Sequence, residues 1–194
     1  MPRKYPDYPY VEMVAAGLPA AQIDAAAMAL RRRFPEIALD RGDPLDPLCR
    51  ALGVDLDYAG PPHEIVLDVP AEGRPVLYLP RLGRTRQDRV DAAMGIGHWI
   101  LHVPPTRLAH PGAGMQALVE PTDPALLDEA RRFALALLMP EPVFWELWYE
   151  GRAGAVAETL NVPTQFAYER AATLDVGHHD PDGAGPVWTD HPAP

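Results

Sequence analysis

Ala92-Ala93-Met94-Gly95-Ile96-Gly97-His98-Trp99-Ile100-Leu101-His102, with Glu129-Ala130-Arg131-Arg132-Phe133-Ala134 and Leu137-Leu138-Met139-Pro140 downstream, is the stretch on which the fold turns. Thr85 to Val103 carries a helical pattern that Pro104-Pro105 should end, because proline offers no amide hydrogen to continue the ladder. A loop holding Pro111, Gly112 and Gly114 leads to a second helix, Pro124 to Met139, whose Pro124 suits a first turn. Met94, His98 and His102 are spaced by four residues and share one face of the first helix. Gly95 and Gly97 each cost about 1 kcal/mol of helix propensity relative to alanine. That cost predicts close packing of this helix against a neighbour.

Outward from this centre, Ala20 to Phe34 reads as an alanine-rich helix stopped by Pro35, and Leu45 to Leu52 as a shorter one closed by Gly53. Val54 to Tyr58, Ile65 to Val69 and Val76 to Leu79 have strand length and composition, which predicts a small antiparallel sheet. Residues 1–19 and 177–194 are rich in Pro, Gly and Asp and lack periodicity, so they read as an N-terminal tail and a disordered C-terminal tail. Residues 20–176 are left as a single domain.

The 194 residues and their apolar content suit one domain with a sizeable core. The single cysteine, Cys49, excludes an internal disulfide and a cysteine-rich zinc site, and is expected to be a buried thiol. No run approaches a membrane span, and Met1-Pro2-Arg3-Lys4-Tyr5-Pro6 lacks the apolar core of a signal peptide, so the expected location is the cytoplasm. A net charge of −10 opposes nonspecific nucleic-acid binding. Arg31-Arg32-Arg33 and the series Arg81, Arg84, Arg86, Arg89 are read as solvated faces.

The quoted motifs resemble those of the ImmA/IrrE-type zinc metallopeptidases. In that family R-F-T-x-A-H-E-x-G-H-x-x-L-H precedes a helix bearing E-A-x-x-F-A-x-x-L-L-M-P. This chain gives Arg89-Val90-Asp91-Ala92-Ala93-Met94-Gly95-Ile96-Gly97-His98 with Leu101-His102, then Glu129 to Pro140. The likeness extends over roughly residues 43 to 175, from the Leu45 to Tyr58 segment to a closing pair of helix-turn-helix-like helices, 153–174, around Asn161-Val162-Pro163. It implies an α+β, mostly helical, zincin-like scaffold. In an H-E-x-x-H helix two histidines four apart bind zinc and the glutamate beside the first is the general base. Met94 and Gly95 stand at the positions of the first histidine and the base, and His98 at the second histidine.

Several candidate sites follow. Thioether sulfur is a poor zinc ligand, so Met94 is expected to fill the vacated position with apolar volume, and Gly95 has nothing with which to polarise water. Met94, Gly95, His98 and Glu129 then form a residual pocket, with His98 facing Glu129, no catalytic residue and no cofactor. The competing reading is a shifted zinc site on His98, His102 and Glu129, with His110 as a mobile further ligand; against it, Glu129 lies one turn out of step with His102. His63, His178, His179 and His191 carry no motif.

Active members of the family, as the resemblance implies, relieve helix-turn-helix repressors of phage-like or stress genes. A member without the catalytic residues is expected to be a regulatory protein that binds such a partner, with no direct contact to nucleic acid or membrane. A structural role in a phage-like assembly is the other non-enzymatic reading. The candidate partner surface is Phe144, Trp145, Trp148 and Tyr149, whose aromatic density exceeds what one buried helix face needs.

Overall fold

The computed structural model describes residues 9–58, 64–79 and 85–176. In chain order these form β1 (Tyr10–Glu12), α1 (Ala20–Arg33), α2 (Asp46–Ala51), β2 (Asp55–Asp57), β3 (Ile65–Val69), β4 (Val76–Tyr78), α3 (Thr85–Gly97), a π-helical turn (His98–His102), α4 (Val103–Ala109), β5 (Gly114–Leu118), α5 (Ala125–Leu138), α6 (Glu141–Thr159) and α7 (Thr164–Thr173). The α+β reading holds. His63, Arg81, Arg84, His178, His179, His191 and the whole expected C-terminal tail lie outside the described residues.

The sheet has the order β1-β5-β3-β4-β2 and is mixed rather than antiparallel. Strand β3 runs antiparallel to both neighbours, pairing Leu67 with Leu77 of β4 and with Ala117 of β5. The outer pairs, β1 with β5 and β2 with β4, are parallel. Two strands were missed in the sequence. Met115 to Leu118, read as part of a loop, is a nearly continuous apolar run that becomes a buried inner strand. Tyr10–Glu12, assigned to a tail, pairs with it, and Met13 behind it is buried.

Helix α5 is the hub. It buries Leu126, Ala130, Phe133, Ala134, Leu135, Ala136, Leu137 and Leu138, and its second half, apolar on every side from Phe133 to Leu138, must be enclosed. Helices α1 and α3 both pack against it. The two glycines of α3 make the close approaches that their propensity cost predicts. A Cβ on Gly97 would come within 3.2 Å of the Ala130 backbone and of the Phe133 ring. One on Gly95 would fall 2.2 Å from a methyl of Leu77, inside the sheet's core.

The buried Arg89 and the half-buried Arg31 tie the layers together, which corrects their reading as solvated faces, whereas Arg32 and Arg33 are exposed. Arg89 of α3 donates to the carbonyls of Leu160 (3.1 Å), Leu39 (2.7 Å) and Asp43, and burial pulls its pKa down to about 10. Arg31 donates to the Leu137 carbonyl at 2.6 Å and pairs with Asp40. Cys49 is buried as expected, and burial pushes its thiol up to about 12.

Helix α6 is broken at Gly151 and Arg152, the latter at φ 55°, so its last turns and α7 form the expected closing pair. Asn161, at φ 51° between them, donates from its side-chain amide to the Gly42 carbonyl at 3.1 Å.

The glycine packing yields a stability prediction. Gly97→Ala should destabilise the protein by about 1–3 kcal/mol, even though alanine gains about 1 kcal/mol of helix propensity, because the backbone of α5 must move. A urea melt of the variant measures this, and a gain in stability would show that α3 and α5 are further apart.

Candidate functional site

The helix that carries Met94 and His98 does not end at Pro104-Pro105. At His98–His102 it widens into a π-helical turn in which the Val103 amide bonds the His98 carbonyl, an i to i+5 closure. Pro104 and Pro105 then fall in the first turn of α4, where no intrahelical amide donor is required. The sequence reading missed this because it scored the prolines as a stop without the break that makes them a start.

The widened turn changes which histidine meets α5. His102 Nε2 lies 2.8 Å from Glu129 Oε2, and His98 Nδ1 lies 2.9 Å from His102 Nδ1. The expected direct pairing of His98 with Glu129 is therefore replaced by a line, Glu129 to His102 to His98. Straight α-helical geometry had placed Glu129 one turn out of step with His102, and the π turn removes that mismatch. All three residues are buried. Arg131 and Arg132, neighbours of Glu129 in sequence, turn away to bidentate pairs with Glu169 and Asp24.

Glu129 has further partners from a segment read as tail. Its Oε2 accepts from the Ala16 amide at 2.9 Å, and its Oε1 from Gly17 at 2.7 Å and Leu18 at 3.3 Å. Gly17 sits at φ 65°, which lets successive amides converge on one anion. Next to it, Thr106 of α4 donates to the His102 carbonyl at 2.6 Å and accepts from the Val14 amide at 2.8 Å. Residues 14–18 are thus stitched to side chains rather than to a sheet ladder, which is why no periodicity marked them.

The bonding pattern assigns the tautomers. Burial pushes the His98 pKa down to about 3, with His102 adding in the same direction. His102 is also lowered, burial outweighing the opposing pull of Glu129. Both rings are neutral at pH 7. His102 Nε2–H donates to the Glu129 carboxylate, so its Nδ1 is an acceptor and takes the proton of His98 Nδ1. His98 Nε2 is left unprotonated.

His98 lines a cavity of about 240 Å³ with Met94, Asp91, Tyr78, Ile65, Val66, Val119 and Leu127. Met94 fills part of it with apolar volume, as expected. Gly95 does not belong to this pocket, since its missing side chain would point at Leu77. His110 is exposed at the end of α4 and does not join His98 and His102. Asp91, seven residues before His98 on the same helix, lines the same space.

The aromatic stretch of α6 divides. Phe144 and Trp148 are buried and stacked at 5.3 Å, so they belong to the core and not to a partner surface. Trp145 and Tyr149 form the adjacent stripe, stacked at 5.7 Å, with Tyr149 52% exposed. A second apolar surface, unforeseen, is the groove of Trp99, Ile100, Val103, Pro104, Arg107 and Leu108, in which Leu108 is 84% exposed.

Comparison with known families matches residues 49–172 to the peptidase M78 family, the IrrE N-terminal-like domain. The chain belongs to this family. No curated protein and no solved structure matches it. The match begins after α1, so β1, the Glu129-binding segment and α1 lie outside the IrrE-like portion.

The family resemblance implies zinc at the positions of Met94, His98 and Glu129, and the donor set here does not fit it. Glu129 already accepts four hydrogen bonds, as many as a carboxylate has lone-pair positions. His102 spends both nitrogens and His98 one. Among the described residues no group of three or more His, Cys, Asp or Glu side chains is arranged to hold a metal ion.

The buried neutral histidines predict an acid-labile fold. An unfolded histidine gains its proton near its ordinary 6.5, whereas folded His98 resists protonation down to about 3. Below pH 6.5 the unfolded state therefore binds more protons, and stability falls with decreasing pH by on the order of 1 kcal/mol per pH unit. Urea midpoints measured downward from neutral pH should show this slope, and His98→Phe should flatten it. An unchanged slope in the variant would place His98 in water. Gly17→Ala should separately cost about 1–2 kcal/mol in the same assay, the penalty of a left-handed non-glycine residue.

Proposed function

We propose that this IrrE-like protein works by binding a protein rather than by cutting one. It is read as a catalytically inactive regulatory relative of the metallopeptidases, needing no cofactor and acting in the cytoplasm. The partner class suggested by the family resemblance is a helix-turn-helix regulator of phage-like or stress genes. The observation that carries this reading is the saturation of Glu129. Its carboxylate is committed to the Ala16, Gly17 and Leu18 amides and to His102, and a ligand to a Lewis-acidic cation must offer a free lone pair. Gly95 supplies no general base, and a side chain there would enter the core instead of a cleft.

Binding is supported by the apolar surface around the exposed Tyr149 and Leu108. Trp145 and Tyr149 present a stacked pair on α6, and the groove from Trp99 to Leu108 presents a second apolar strip. Aromatic anchors of this kind dominate the energy of protein interfaces. No helix among the described residues is long and apolar enough to cross a membrane.

Two measurements test the reading. Protein purified without a histidine tag should lack stoichiometric zinc and chelator-sensitive peptidase activity; zinc near one equivalent, lost in both His98→Ala and Glu129→Ala, would restore the enzyme reading with His98, His102 and Glu129 as ligands. Tyr149→Ala and Trp145→Ala should weaken capture of a co-purifying partner by about 2 kcal/mol, with the melting temperature nearly unchanged in Tyr149→Ala and lowered in Trp145→Ala, whose ring also packs against the core. If both variants bind normally, α6 is not the interface.

A further inference from the structure

The cavity beside His98 is lined by a side chain with one ring nitrogen uncommitted. His98 is 1% exposed, and its Nδ1 is bound to His102, while no group among the described residues bonds its Nε2. A ring nitrogen without a partner among the described residues can accept a donor from whatever occupies the cavity. The walls next to it are apolar, formed by Ile65, Val66, Met94, Val119 and Leu127. Val119, 46% exposed, marks the side open to solvent.

We infer that this cavity is a binding site for a small, neutral, largely apolar molecule that donates one O–H or N–H hydrogen bond to His98 Nε2. The relay from Glu129 through His102 holds the His98 ring in position and keeps its proton on Nδ1, so Nε2 is presented as an acceptor before any ligand arrives. That preorganisation lowers the ordering cost of binding. The volume, about 240 Å³, lies below the roughly 300–1,000 Å³ of sites for drug-sized molecules, so the ligand is of single-ring size.

Charge selects further. Among the described residues no lysine or arginine lines the cavity, and Asp91 stands two helical turns from His98, where its carboxyl accepts from the Gln87 amide at 2.8 Å. An anion would meet this carboxyl without a compensating cation among the described residues. Burial also raises the Asp91 pKa, which is consistent with a space that disfavours charge. The site is separate from the α6 and α4 surfaces and does not depend on the protein-binding reading.

Phenol and toluene provide the test because they share one shape and differ in the donor. Phenol loses more hydration on leaving water, so a merely greasy cavity would prefer toluene. Titrations of the full-length protein followed by amide chemical shifts should show phenol binding at least tenfold more tightly than toluene, with benzoate weaker than phenol. His98→Phe should abolish the preference for phenol while toluene still binds. Met94→Trp, at a half-buried position, should block both ligands, and circular dichroism establishes that each variant is folded. Equal binding of phenol and toluene, a phenol preference that survives His98→Phe, or no binding of phenol at millimolar concentration would each overturn the inference. Should His98→Phe not fold, Met94→Trp decides: phenol binding unchanged in that variant places the ligand elsewhere.

Discussion

Everything around the candidate site depends on where the Glu129 carboxylate finds its hydrogen bonds. A buried anion must be balanced, and a metal ion or a set of donors can do so. Here the donors are the amides of Ala16, Gly17 and Leu18 together with His102 Nε2. The first three come from outside the segment matched to the IrrE family. A stretch preceding the peptidase-like portion has thus become part of its core, joining β1 and α1 to α5. The same four bonds position His102, and through it His98, so one carboxylate organises both the fold's N-terminal closure and the pocket.

The π turn is the second half of that arrangement. It frees the helix from the i to i+4 ladder over five residues, lets His102 reach Glu129 and gives Pro104 and Pro105 a tolerated place. An uninterrupted α-helix would have met the prolines as a barrier and kept His102 one turn away from its partner. The relay and the exposed Trp99–Leu108 groove are therefore products of one backbone irregularity, since Trp99 and Ile100 lie within the widened turn itself.

Much of this architecture was legible. The helical segments, strands β2 to β4, the buried Cys49 and the tight packing of Gly95 and Gly97 follow from periodicity, turn residues and propensity. The motifs at Met94 to His102 and Glu129 to Pro140 indicated the family. What escaped was set by long-range pairing. Strand β1 and the amides of residues 16–18 carry no local signal, because their partners are more than a hundred residues away. Phe144 and Trp148 share a face four residues apart, and sequence alone could not say whether that face or the stripe of Trp145 and Tyr149 met the core. The shift from His98 to His102 as the partner of Glu129 required a helix wider than the regular geometry used to judge it.

Met94 and Gly95 consequently bear on packing as much as on any ligand or base. Gly95 lets α3 approach Leu77 so closely that a Cβ has no space, and Gly97 does the same toward Ala130 and Phe133. A helix seated this deeply cannot accept a glutamate at 95 without moving outward, and moving outward would disturb the reach of His102 to Glu129. Restoring histidine at 94 and glutamate at 95 would leave Glu129 still bound by three backbone amides. A zinc site on residues 94, 98 and 129 would require the N-terminal segment to release the carboxylate, the π turn to rewind and α3 to lift from the sheet. These changes are coupled through the same few contacts, so the present arrangement is a distinct solution to balancing Glu129.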